Sequence, residues 1–330
     1  MLTVKKLRRK PKHFHNFTGL SPQQFDELLL ALKPIYQQAE EERLQNPNRL
    51  RARGAGRSFK LKLPERLLMS LMYFRLYVTQ SLLSYLFDLD ASNVNRQIKH
   101  MLKILPEVLP VPAQDDPLLE LAAQSASSSS SSSSGGRKTK HTGKKISTLE
   151  ELLEKHPEFK EILIDATEQE LQKPKNKERR KDFYSGKQKR HTAKMQVLST
   201  KNKLILHLCR HVAGRVNDHL LLRATGVMRK IPKGVVVRVD KGYEGIEEEY
   251  QEVRIEKPKK ARRAQPLTVL EKIYNRAMSA LRMPVEHAIG GMKKFRLLAG
   301  IYRGTEERYD ESALVIAGLH NYRQLGKLSW

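Results

Sequence analysis

Apolar residues recur at helical spacing through the first third of the chain. Phe25, Leu28, Leu29 and Leu32 form one stripe and predict a helix over 21–36, started by Ser21 or Pro22. Residues 43–64 are polar and basic, contain Gly54 and Gly56, and read as a loop. Pro64 suits the first turn of a second helix at about 64–77, where Leu67, Leu68, Leu71 and Met72 keep the period. A short apolar segment, Thr79 to Phe87, runs into the turn Asp88-Leu89-Asp90-Ala91. Ser92 is placed to cap a third helix whose buried stripe is Val94, Ile98, Met101, Leu102 and Leu105. Its other face offers Asn93, Asn95, Arg96, Gln97, Lys99 and His100. Pro106, Pro110 and Pro112 end it.

Past residue 149 the pattern changes from period 3.6 to short apolar runs. A brief helix from Leu149 to Leu153 precedes Glu161 to Thr167, which reads as a buried strand. Met195 to Leu198 and Leu204 to Leu208 flank the polar Lys201-Asn202-Lys203 and predict a hairpin. Asp218 to Ile231 reads as helix and Val235 to Asp240 as strand. Glu252 to Glu256 is a weaker strand, and 266–295 and 310–325 are helical. This order predicts an α/β fold, a mixed sheet with flanking helices, behind an all-α region. Between them lies a serine run, Ser127 to Ser134, then Gly135-Gly136. Such a segment has too little apolar surface to order itself. The expected organisation is a basic arm over 1–20, a helical domain over 21–113, a Ser-rich linker over 114–148 and a second domain over 149–330.

Charge sharpens this picture. Sixty-two Lys and Arg against 36 Asp and Glu leave a net +26. That is too large for an ordinary metabolic enzyme and points to a polyanion, nucleic acid first. One cysteine, Cys209, excludes a disulfide scaffold and a Cys-ligated zinc or iron–sulfur centre. No apolar run is long enough to span a bilayer, so a soluble, cytoplasmic protein without a membrane partner is expected. The short helix, tight turn and polar-faced helix ending near Leu105 read either as an ordinary helical hairpin or as a helix-turn-helix. The charge favours the second, with Asn95, Arg96 and Lys99 facing DNA.

Two of the predicted strands end in an aspartate, Asp165 after Ile162-Leu163-Ile164 and Asp240 after Val235 to Val239. Such an acid is costly unless paired, hydrogen-bonded or bound to a metal. Each alone reads most simply as a turn cap. Glu168 and Glu170 are nearby rivals of Asp165. The stretch from Lys173 to Lys194 is strongly basic, with Lys187, Lys189 and Arg190 at its centre, and reads as a DNA-backbone track beside those acids or as a solvated face. Lys257, Lys259, Lys260, Arg262 and Arg263 extend it.

Four segments carry a family likeness. They are Ile164-Asp165-Ala166-Thr167-Glu168, Tyr184 to Thr192, Asp240-Lys241-Gly242-Tyr243-Glu244-Gly245 and Val285-Glu286-His287. In order and spacing they resemble the blocks of the DDE transposases of bacterial insertion sequences, and the N-terminal region resembles the helix-turn-helix that precedes that catalytic domain. The resemblance implies an RNase H-like fold and metal-dependent cleavage and strand transfer on DNA. It implies Asp165, Asp240 and Glu286 as catalytic residues and metal ligands. Arg282 and Lys293 match further positions of the last block, where they could hold phosphate, and Ser279 stands where the family has a tyrosine. Pro284 should kink or restart the helix. The chemistry agrees, because two Mg²⁺ about 3.5–4 Å apart, or Mn²⁺ in their place, can neutralise a phosphodiester in attack and need only hard oxygen ligands. The resemblance further implies element ends and target DNA as partners, nucleoid association when on DNA, and a homodimer or larger complex. The rival readings are a non-cutting DNA-binding descendant of a transposase and a ligand-sensing transcription regulator.

Overall fold

A computed structural model describes residues 1–45, 59–114, 148–261 and 266–330. Gly54, Gly56, Arg262, Arg263 and the linker from 115 to 147 lie outside the described residues. The chain divides into two compact units. One comprises Met1–Val111, Met292–Gly300 and Glu306–Trp330; the other comprises Pro112–Gly291 and Ile301–Thr305.

The first unit is helical. The expected basic arm instead folds into α1 (Val4–Arg8) and α2 (Pro11–Thr18). The reason is an apolar side hidden among the cations: Val4, Leu7, Phe14 and Leu20 are buried, and the Phe14 ring meets Phe25 edge-on. α3 (Pro22–Leu44) starts as predicted, with Ser21 and Gln24 forming a reciprocal capping box. It runs past Tyr36 because the added Gln, Ala and Glu residues are good helix formers that need no buried face. α4 (Leu63–Leu76), α5 (Gln80–Phe87) and α6 (Ala91–Ile104) follow. Asp88 closes α5 in the left-handed region at φ 52°, a conformation that Asp tolerates better than most residues. Asp90, not Ser92, stands at the N-cap of α6.

The C-terminal helix, Glu306–Leu325, belongs to this unit rather than to the sheet domain that follows the serine run. Tyr309, Ala313, Ile316, Leu319 and Tyr322 are buried along it. The Tyr322 hydroxyl donates to the Gln24 carbonyl at 3.0 Å, Asn321 Nδ2 donates to the Pro110 carbonyl at 3.0 Å, and Arg308 Nη1 donates to Asn95 Oδ1 at 2.7 Å. Contacts across some two hundred residues leave no local mark in a sequence.

The second unit is built on a mixed sheet. Its elements are α7 (Leu149–Lys155), β1 (Glu161–Glu170), α8 (Lys177–Phe183), β2 (Tyr184–Ser185), β3 (Arg190–Thr200), β4 (Ile205–Leu208) and β5 (Val212–Ala213). Then come α9 (Asp218–Thr225), β6 (Val236–Arg238), α10 (Ile246–Glu249), β7 (Arg254–Glu256) and α11 (Val269–Lys293). The strands run β2-β3-β1-β6-β7, with β4 and β5 also on β3. β3 is antiparallel to β1 and β4, whereas β6 and β7 are parallel to β1 and to each other. An antiparallel hairpin continued by two parallel strands is the RNase H-like arrangement expected above. The long β1–β3 ladder buries Ile162, Leu163, Ile164, Val197 and Leu198. Gly226, at φ 59°, stops α9 earlier than the apolar pattern suggests. Pro284 interrupts no helix: α11 continues through it to Lys293.

Candidate active site

Register places the two aspartates. β1 and β6 pair in parallel with Ile162 opposite Val237 and Leu163 opposite Arg238. Asp240 lies two residues past the end of β6, whereas Asp165, expected to end its strand, sits in the middle of β1, because the ladder with β3 carries that strand on to Glu170; counted on from the β1–β6 register, the two aspartates fall level. Period-two alternation sends Glu168 to the other side of β1. There its carboxylate accepts from the Thr192 hydroxyl at 2.7 Å and lies 3.5 Å from Lys194 Nζ. Glu168 is therefore engaged elsewhere, and Glu170 pairs with Arg190.

Arg282 joins the aspartates. From α11 its Nη1 donates to Asp240 Oδ1 at 2.9 Å, and its Nη2 lies 3.9 Å from Asp165 Oδ2. Arg282 is 8 % exposed, and its buried Nε has no hydrogen-bond partner among the described residues. The side chains of Asp165 and Asp240 stay 25 % and 43 % exposed, so the pair opens outward. Asp165 Oδ1 also accepts from the Ala166 amide at 2.8 Å. Burial pushes the Asp165 carboxyl above the usual carboxylate range, with Asp240 and Asp218 adding to the rise; the Ala166 amide and Arg282 oppose it.

Glu286 lies one turn beyond Arg282 on α11 and is exposed. Among the described residues, no three His, Cys, Asp or Glu side chains are grouped to hold a metal ion. The structure thus brings together two of the three expected acids. Those two fit a divalent ion as far as they go: they are hard oxygen donors converging on one cationic position.

Several residues of this neighbourhood carry no warning in the sequence. Lys194, counted above with the surface track, is buried: its Nζ donates to the Val216 carbonyl at 2.6 Å and to Asp218 Oδ1 at 2.8 Å. The Tyr243 hydroxyl is buried and pushed well above the tyrosine range, by burial first, then by Asp218 and Asp165, with Asp240 adding to the rise and Gln196 opposing it. Its place in the block from Asp240 to Gly245 was the available signal. Lys187, Lys189 and Arg190 are exposed at the β2–β3 turn. Lys257, Lys259 and Lys260 each face an acid, Glu247, Glu271 and Glu244.

On the first unit, α5, its turn and α6 form the predicted helix-turn-helix. Arg96 and Lys99 are exposed, while Asn95 is half-buried against Arg308. His100 turns to the Tyr36 ring and Glu40 rather than outward. No helix among the described residues is long and apolar enough to cross a membrane.

The family model of the DDE superfamily endonucleases matches residues 164–321, from the strand that carries Asp165 to the C-terminal helix. The model of the helix-turn-helix of those endonucleases matches residues 59–110. Both matches are to models of the DDE superfamily endonucleases, and this chain is similar to them over those residues. The chain is also similar to a protein of Microchaete diplosiphon described as a probable transposase for insertion sequence element IS702. The two are 29% identical over 314 residues, which is 94% of either chain. No solved structure matches it. Endonucleases of this superfamily generally depend on a divalent metal ion.

Proposed function

We propose that this chain is a DDE superfamily endonuclease, the transposase of an insertion sequence. It binds the inverted-repeat ends of its element, cuts the strand there and joins the freed 3′-OH to target DNA. The observation that carries the reading is the convergence of Asp165, in the middle of β1, and Asp240, just past the adjacent parallel β6, on one cationic position. A likeness to a probable transposase along nearly its whole length supports it.

In this reading Asp165 and Asp240 hold Mg²⁺ or Mn²⁺, and Glu286 completes the set from α11. When bound, the metal lowers the cost of negative charge on the attacked phosphate and on the leaving oxygen. The protein's own part is positioning. β1 and β6 fix the two carboxylates at one level, and the buried Tyr243 keeps water from one side of them. Arg282 and Lys293 bring cations for the DNA backbone, α6 presents Arg96 and Lys99 to base edges and phosphates, and Lys187, Lys189 and Arg190 add backbone contacts. Both element ends must be handled together, so the working form is a homodimer or larger complex on DNA, at the nucleoid.

The test is cleavage of a duplex carrying the element end, with Mg²⁺ or Mn²⁺ and with chelator. Cutting should need the metal, and Asp240→Asn should abolish it while DNA binding persists. Undiminished cutting by that variant would remove Asp240 from the site. Loss of cutting with Glu286→Gln, and normal binding, would bring the exposed glutamate into it.

A further inference from the structure

The first unit holds a second concentration of positive charge, distinct from the exposed side chains of α6. It gathers His15 of α2, Arg75 of α4, Lys294 and Arg296 just after α11, and Arg323 of the C-terminal helix. Its frame is fixed. Arg75 Nη1 donates to the Lys294 carbonyl at 2.7 Å and its Nε to the Asn16 carbonyl at 3.4 Å. The guanidinium lies over the Phe295 ring, 5.4 Å from its centre. Gly19 ends α2 at φ 80°, and a Cβ there would stand 3.0 Å from the Phe295 ring and 3.6 Å from Arg75 Cδ. Glycine thus permits both the turn and the close approach.

Among the described residues none of the five makes an ion pair with a carboxylate, although three of them, His15, Arg75 and Arg323, are half-buried. Their charges work against one another. Arg75 is held below the ordinary arginine range by burial, then by Arg323 and Arg296. His15 is held low by burial, Arg323, Arg75 and Lys294 against a backbone hydrogen bond that opposes them. Cations drawn from four stretches of chain, partly stripped of water and left without a counter-charge, are unfavourable in the free protein. An anion relieves that repulsion. The donors are guanidinium and ammonium groups, which suit phosphate oxygens, and the set offers no amide to read a base edge.

We propose that His15, Arg75, Lys294, Arg296 and Arg323 form a phosphate site that grips the DNA backbone independently of α6. The proposal rests on the reading of this chain as a DNA-binding transposase. It gives the first unit two jobs on two surfaces: α6 selects the sequence, and this site adds affinity without selecting.

The experiment is a salt titration of full-length protein on end-bearing and random duplexes, comparing wild type with Arg296→Gln/Arg323→Gln. Among the described residues neither side chain has a hydrogen-bond or ion-pair partner to lose. The double variant should bind both DNAs more weakly by the same factor. The slope of log affinity against log salt should flatten by about 0.9 for each phosphate contact removed. The melting temperature of the DNA-free variant should stay level or rise, since the repulsion is relieved. Unchanged affinity and slope, with wild type binding normally, would overturn the site and leave the transposase reading standing. A wild type that binds neither duplex would overturn both. Should the double variant fold poorly, Lys294→Gln supplies the same comparison, because the Lys294 carbonyl, not its exposed side chain, anchors Arg75. Arg96→Ala, measured beside them, should lose end preference only.

Discussion

Lys194 shows how a residue's surroundings reverse its apparent meaning. In the sequence it closes a run of cations, but in the folded chain it is a strut between β3, Glu168 and the first residue of α9. Its ammonium group is saturated by one carbonyl and two carboxylates. Lys194→Met keeps the apolar stem and removes the ammonium group 3.5 Å from Glu168, whose side chain is 9 % exposed. Removing one partner of such a buried set should cost about 3 kcal/mol of stability, read as a shift in the denaturant midpoint. Lys187→Gln, exposed at the neighbouring turn, should change stability little. The histidines of the first unit give a pH signature. His15 and His100 are both held below the ordinary 6.5, burial being the largest cause in each. Between the lowered value and 6.5 the unfolded chain binds more protons than the folded one, so stability should fall as pH drops through that window. Arg323→Gln removes one of the charges that depress His15. Its imidazole should then titrate closer to 6.5 by NMR, and the loss of stability on acidification should be shallower.

At the scale of elements, α6 divides its polar residues between two tasks. Arg96 and Lys99 are exposed, and Arg96 Nη1 donates to Asn93 Oδ1 of its own turn at 3.2 Å. Asn95 is tied to Arg308 of the C-terminal helix. Arg96→Ala should therefore cost roughly 1–3 kcal/mol on end DNA with little change on random DNA, as for a lost base contact. Asn95→Ala should lower the melting temperature and leave the preference for end DNA intact. Side-by-side binding and melting curves of the two variants check both. The helix itself was legible in the sequence because Val94, Ile98, Met101 and Leu102 repeat with its period. The use of each polar side chain was not, because Arg308 lies more than two hundred residues away. The same contrast holds for the site. Asp165 and Asp240 stood out as acids after apolar runs, but only Asp240 follows the end of its strand; β1 runs on past Asp165 because its pairing with β3 does. Glu286 entered through family likeness alone, and it is the acid that the fold leaves apart. Arg282 was expected to face DNA, and only the three-dimensional arrangement sets it between two carboxylates. The N-terminal helices were missed because four apolar residues spaced among many cations give a weak periodic signal.

At the scale of the whole molecule, a net charge of +26 on 330 residues makes binding to any duplex strongly dependent on salt. Replacing Lys187 and Lys189 with glutamine should flatten that dependence on end and random DNA alike, with specificity retained; an unchanged slope in the titration would show the β2–β3 turn to be a solvated face.

The first unit also carries a consequence for how the protein is made. Its helix-turn-helix lies within the first hundred or so residues, yet part of its core is Tyr309, Ala313, Ile316, Leu319 and Tyr322. On the ribosome α6 emerges long before the helix that shields it. A nascent or prematurely terminated polypeptide therefore carries the side chains proposed to read bases but not the finished unit that holds them. Synthesis must pass Leu325 before that unit can close, so on the proposed reading broken translation products should be poor competitors for the element's ends.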